Sequence, residues 1–114
     1  MTRVLSKTSE WRAVWLLVMF DLPVKTKIQK RNYHRFHDFL IDEGFGMLQY
    51  SVYGRHLATR ERGDSKEARV EARVPPLGQV RIIRLTEAQF SNMKIIQNLR
   101  VTPPESAPKQ LEFW

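Results

Sequence analysis

Apolar residues run unbroken from Ala13 through Val14, Trp15, Leu16, Leu17, Val18 and Met19 to Phe20, then stop at Asp21-Leu22-Pro23. A membrane-spanning helix needs about 20 such residues, so this run is too short to cross a bilayer. Its β-branched and aromatic content and the closing proline predict a strand, opened by Trp11 and Arg12. Because the run is continuous rather than alternating, both faces of the strand should be buried. Asp21 then stands at the C-terminal end of a rigid element. Downstream, Thr26 with Gln29 has the spacing of a capping box. The helix it predicts runs to about Glu43, with Gly44 as its stop. Tyr33, Phe36, Phe39 and Leu40 share one side of that helix and read as core. Lys27, Arg31 and Arg35 recur at i, i+4, i+8 on the other side.

From Gly46 to Gly54 the pattern alternates, Leu48, Tyr50 and Val52 against Met47, Gln49, Ser51 and Tyr53, and predicts a second strand. A short strand or turn follows to Leu57. Arg60 to Lys66 read as a loop in which Gly63-Asp64-Ser65 offers an N-cap to a second helix, ending before Pro75-Pro76. Gly78 opens a third long strand, Gln79 to Leu85; Thr86 to Ser91 read as a turn, and Met93 to Gln97 as a short strand. Pro103, Pro104 and Pro108 exclude a continuing helix in the tail, whose apolar end, Leu111-Glu112-Phe113-Trp114, suggests docking. The resulting division is a lead-in at 1–11, one domain at 12–99 and a docking tail at 100–114. The element order matches an α+β chain, a ferredoxin-like βαββαβ sandwich with an extra C-terminal strand. Two helices cover only one face of its sheet, whereas the first strand requires cover on both. A second copy supplies it, so the expected assembly is a sheet-to-sheet homodimer.

With 114 residues, 42% of them hydrophobic, the chain suits one folded domain. The absence of cysteine excludes disulfides, cysteine nucleophiles and cysteine-ligated zinc, and fits a reducing cytoplasm. Residues 1–10 are polar, so no signal peptide is expected, nor a membrane partner. A formal charge of +7 points to an anionic partner, most often nucleic acid. No acidic residue falls between Leu22 and His37, and like charges at i, i+4 cost a helix a few tenths of a kcal/mol per pair. A solvated helix face and a phosphate-contacting face both account for this stripe; Lys25 and Lys30 beside it favour phosphate. Arg60, Arg62, Arg69 and Arg73 form a second basic cluster, diluted by Glu61, Glu67 and Glu71. Read alone, Asp21 is a turn residue accepting a backbone N–H; two copies facing across a two-fold axis, with waters, suit a magnesium ion. His34, His37 and His56 read as surface or core-edge residues. Ser51 reads as a small polar strand residue with no base beside it.

Four stretches carry a family resemblance: Val18-Met19-Phe20-Asp21-Leu22-Pro23, the basic-aromatic helix Lys30 to Leu40 ending in Gly44-Phe45, Leu48-Gln49-Tyr50-Ser51-Val52-Tyr53, and Leu85-Thr86-Glu87-Ala88-Gln89-Phe90. Together, over residues 12 to 97, they closely resemble the CRISPR-associated protein two family of the spacer-acquisition machinery. The resemblance implies a ferredoxin-like dimer seated between dimers of the CRISPR integrase, capturing duplex DNA for insertion into the repeat array. Members are also described as metal-dependent endoribonucleases, acting on single-stranded RNA, and some as nucleases of duplex DNA. The family's metal-binding aspartate matches Asp21, which becomes the candidate catalytic and metal residue, with Mg2+ or Mn2+ as cofactor. Lys25, Lys27, Lys30, Arg31 and Arg35 are the candidate nucleic-acid contacts. Leu111 and Phe113 are the candidate partner contacts, by strand addition to a neighbouring sheet or on the integrase. The alternative is a toxin-like metal-dependent ribonuclease on the same fold, similar to virulence-associated protein D and acting without an integrase. An RNA-recognition domain fits worst, because Val80 to Leu85 lack the aromatics that such sheets use for stacking.

Overall fold

The computed structural model describes residues 13–108. Trp11, Arg12, the rest of the lead-in, Leu111 and Phe113 lie outside the described residues. The apolar run forms β1 (Val14–Asp21), which pairs antiparallel with β3 (Val52–Leu57) on one side and β4 (Gln79–Thr86) on the other. With β2 (Gly46–Gln49) outside β3, the sheet order is β2-β3-β1-β4. Helices α1 (Lys27–Asp42) and α2 (Arg60–Glu71) link the strands, and a short α3 (Glu87–Ser91) follows β4. The chain is thus mixed α+β, with an antiparallel sheet and three helices among the described residues, an arrangement compatible with a ferredoxin-like fold.

Side-chain alternation along β1 divides its apolar residues between two cores. Leu16, Val18 and Phe20 pack with Phe36, Phe39, Leu40 and Val70 beneath the helices. Trp15 and Leu17 point to the opposite face, where Phe90 of α3 closes over them with Leu48, Leu85 and Met93 around it. The Trp15 and Phe90 rings stack at 3.9 Å and 9°. Glu87 fixes this cover: one carboxylate oxygen accepts from Trp15 Nε1 at 3.2 Å and the other lies 2.8 Å from His56 Nε2. The second face is therefore covered in part from within the chain, where a second copy alone was expected. Among the described residues that cover is incomplete: Ile83 of β4, opposite Leu17, is 45% exposed.

Several elements differ from the sequence expectation. The strand expected over Gly46 to Gly54 breaks at Tyr50-Ser51 into a hairpin of β2 and β3, with Ser51 in the left-handed region at φ 63. Ser51 is therefore a turn residue, not a strand residue. The loop expected over Arg60 to Lys66 is helix: Thr59 caps it by accepting from the Arg62 N–H, and Gly63-Asp64-Ser65 lie inside. The turn at Thr86 to Ser91 is α3, closed by a capping box of Thr86 and Gln89. The extra strand is β5 (Ile95–Gln97), which among the described residues pairs only with β6 (Arg100–Thr102) in a separate two-stranded sheet.

Candidate functional site

β1 delivers Asp21 to the edge of its buried stretch, where the side chain is exposed. The strand end is held from both sides. Phe20 N–H donates to the Ser51 carbonyl at 3.1 Å, and Asp21 lies opposite Gln79 of β4. Gly78, at φ +91, makes the second approach feasible: a Cβ there would sit 2.6 Å from the Asp21 carbonyl oxygen. A carboxylate placed this way is positioned by the sheet rather than by a loop.

Aromatic hydroxyls collect around its neighbour Phe20, on the helix-covered face of the sheet. Phe20 packs against Tyr33 and Tyr53 at ring distances of 5.9 and 5.6 Å. Burial, then the hydrogen bond with Tyr50, then the nearness of Tyr50 and Tyr53 push the Tyr33 phenol up, while its hydrogen bond with Ser51 works the other way. Burial and Tyr50 likewise push Tyr53 up. These groups are neutral phenols at physiological pH, available as hydrogen-bond partners but not as bases. Tyr50, at the tip of the β2–β3 turn, is 82% exposed. The sequence pattern placed Tyr33 in the core, which holds for its ring; it gave no sign of the hydroxyl cluster, because that depends on the unexpected turn at Ser51.

The basic residues at the start of and along α1 differ by what they touch from Lys66 and Arg69 of α2. Lys25, Lys27, Lys30, Arg31 and Arg35 are all exposed, and none forms an ion pair among the described residues. By contrast, Lys66 and Arg69 of α2 bind Glu43, while Asp64 and Glu67 of α2 bind Arg84 of β4. Thr26 and Gln29 satisfy the start of α1 by a reciprocal capping box, and its first turn carries no acid. Unpaired positive charge therefore begins next to the Asp21-Leu22-Pro23 turn and continues along one helix.

For a metal, the donor set fits in kind. A hard carboxylate oxygen suits magnesium or manganese, which take one or two carboxylates and keep several waters. Asp21 is not part of a ready-made cluster: among the described residues no group of three or more His, Cys, Asp or Glu is placed to hold an ion. His34 is exposed, His37 contacts Asp38 at 3.2 Å, and His56 is engaged with Glu87, so none of them joins Asp21. Among the described residues no helix is long and apolar enough to cross a membrane.

A family model described as CRISPR associated protein Cas2 matches residues 14–93. The chain is 38% identical over 101 residues to a CRISPR-associated endoribonuclease Cas2 of Parvibaculum lavamentivorans, covering 89% of this chain and 100% of that protein. It is 49% identical over 78 residues to the protein of that name in Lacticaseibacillus rhamnosus, covering 68% of this chain and 77% of the relative. A relative in Rhodospirillum rubrum, CRISPR-associated endoribonuclease Cas2 2, is 38% identical over 105 residues, covering 90% of this chain and 88% of the relative.

Proposed function

The chain belongs to the Cas2 family of CRISPR-associated proteins, and on that premise we propose that it is a cytoplasmic adaptation protein with an endonuclease centre at Asp21. In this reading it acts as a homodimer of ferredoxin-like domains, binds duplex DNA, and supports spacer insertion together with the CRISPR integrase. Leu111 and Phe113, outside the described residues, are the proposed contacts for the integrase or a neighbouring sheet. The observation that carries the reading is the row of unpaired cations on α1, starting beside an exposed carboxylate on a rigid strand end.

The cations have one job that geometry supports, which is to hold phosphates. Such contacts carry no sequence information, so duplex binding should be indifferent to sequence and fall steeply with salt. Asp21 has a different job. Asp21 would hold a magnesium or manganese ion, which would supply charge neutralisation at a phosphate oxygen and a lowered pKa of a water. The Asp21 carboxylate orients that site, the backbone bonds of Phe20 to Ser51 keep it in place, and the α1 cations bring the polyanion to it. The relatives are named endoribonucleases, which supports phosphodiester cleavage as the reaction class.

The test pairs wild type with Asp21→Ala in two assays, cleavage of RNA and of duplex DNA with magnesium, and spacer integration with the partner integrase. Loss of cleavage with integration retained is the expected result, and it makes the protein a scaffold in adaptation with separate hydrolysis. Cleavage that survives both a chelator and Asp21→Ala removes Asp21 from the chemistry. Integration that proceeds equally well without the protein removes the adaptation role.

A further inference from the structure

The second basic cluster does not belong to the α1 stripe, and the structure gives it a pocket of its own. A cavity of about 310 Å³ lies between β3 and α2, lined by Arg55, Arg62, Ser65, Lys66 and Arg69, with Glu61 as the acidic lining residue. Lys66 and Arg69 are held in place by Glu43 at 2.9 and 2.7 Å, which fixes their position and neutralises part of their charge. Arg62 has no ion pair among the described residues.

Arg55 is the unusual member. Its guanidinium lies against Gly44, which stands at φ +88, and a Cβ there would come within 2.9 Å of Arg55 Nε. One terminal nitrogen donates to the His56 carbonyl at 3.3 Å, yet the buried Nε has no partner. A buried unsatisfied donor is rare in a folded protein. Fixed cations, a serine hydroxyl and the Arg55 side chain around one cavity are the donor set for a phosphate group. Arginine suits that role because its planar fork matches phosphate oxygens.

The pocket is remote from the candidate nuclease centre. Arg55 pairs with Leu16 and Leu57 with Val14, at the opposite end of β1 from Asp21. At about 3.4 Å per residue the two sites are roughly 20 Å apart. We propose that this pocket is a second phosphate-binding site, which takes one phosphate group independently of Asp21 and of the α1 stripe. It deepens the nucleic-acid reading above and rests on that reading only for the source of the phosphate, a backbone phosphodiester or a free or terminal phosphate.

The experiment uses the full chain and the variants Arg62→Gln and Ser65→Glu, both at exposed helix positions, with thermal unfolding as the folding control. Inorganic phosphate is titrated while the backbone amides of Gly44, Arg55 and Ser65 are followed by NMR. The affinity for a duplex of unselected sequence is measured against salt. The proposal expects phosphate-dependent shifts at those amides, lost in Ser65→Glu. For a backbone source it expects a severalfold weaker duplex affinity in Arg62→Gln, with the log–log salt slope reduced by about 1. Amide shifts with an unchanged salt slope assign the site to a free or terminal phosphate and still support it. No amide shift together with an unchanged slope in both variants overturns it, as do shifts confined to α1. Asp21→Ala leaves the phosphate-dependent shifts at Gly44, Arg55 and Ser65 in place, so failure of the nuclease reading and failure of this one are separable.

Discussion

Glu43 ties the end of α1 to the middle of α2. One of its oxygens accepts from Lys66 Nζ at 2.9 Å and from Arg69 Nε at 2.8 Å, and the other accepts from the Arg69 terminal nitrogen at 2.7 Å. The bond to Arg69, then that to Lys66, lower its pKa from 4.5 to about 2, with burial opposing. The folded-state pKa is depressed, so the stabilisation is fully present above the unfolded value near 4.5 and is lost as pH falls toward about 2. Glu43→Gln should therefore be less stable than wild type at pH 7, by about 1 kcal/mol, a modest figure because Arg69 is largely exposed. Urea unfolding across pH checks it: the two midpoints should converge between pH 4.5 and about 2, and a pH-independent gap contradicts the ion-pair account. Asp21 was legible in the sequence because an apolar run ended on it. Glu43 was not, because its partners lie 23 and 26 residues away and only the packing of α2 on α1 brings them together.

Helix α1 carries a cost that its own residues do not offset. Lys27, Arg31 and Arg35 repel one another along one face, and replacing the central one by an acid converts two repulsions into two attractions. Arg31→Glu should raise thermal stability slightly, by a few tenths of a kcal/mol per pair, while weakening duplex binding and flattening its salt dependence. A variant that loses stability and binding together would place Arg31 in the fold and not in the interface. Helix α3 shows the opposite balance. Phe90 is fully buried against Trp15, so Phe90→Ala should cost about 3–5 kcal/mol and quench the environment reported by Trp15 fluorescence. Legibility at this scale followed local chemistry. The capping box of Thr26 and Gln29 announced α1, the long apolar run announced β1, and Gly78 opened the strand that is β4. Thr86 and Gln89 form the same box, but α3 has five residues and no room for a periodic pattern. Gly63-Asp64-Ser65 resembled a loop and is helix, because Thr59 supplies the cap and Arg84 draws Asp64 and Glu67 inward. The hairpin at Tyr50-Ser51 lacks the Gly or Asn that marks a left-handed turn.

The whole molecule leaves surfaces that one chain does not close. On the second face of the sheet α3 covers Trp15 and Leu17, but Ile83 stays 45% exposed beside half-buried Met19 and Val52. Among the described residues strand β4 ends the sheet without a further neighbour, and the β5–β6 hairpin exposes Ile96 at 62% and Val101 at 67%. Two strands of three residues are marginal alone and gain from a neighbouring sheet. These features support the two-fold dimer, and sedimentation should find a dimer at micromolar concentration that Ile83→Glu dissociates without unfolding; a monomeric wild type refutes it. The symmetry then bears on the chemistry, because a chain offers one carboxylate at the candidate centre and a dimer offers two. Subunit exchange distinguishes paired from independent centres. In an equal mixture of wild type and Asp21→Ala, random reassortment yields about one quarter wild-type dimers and about one half mixed dimers. If both Asp21 copies hold one metal, mixed dimers are inactive and cleavage falls to about one quarter of the wild-type level; if each copy acts alone it falls to about one half. The expected value is the lower one, since a single exposed carboxylate with no companion ligand is a weak magnesium site and two across an axis are a sufficient one.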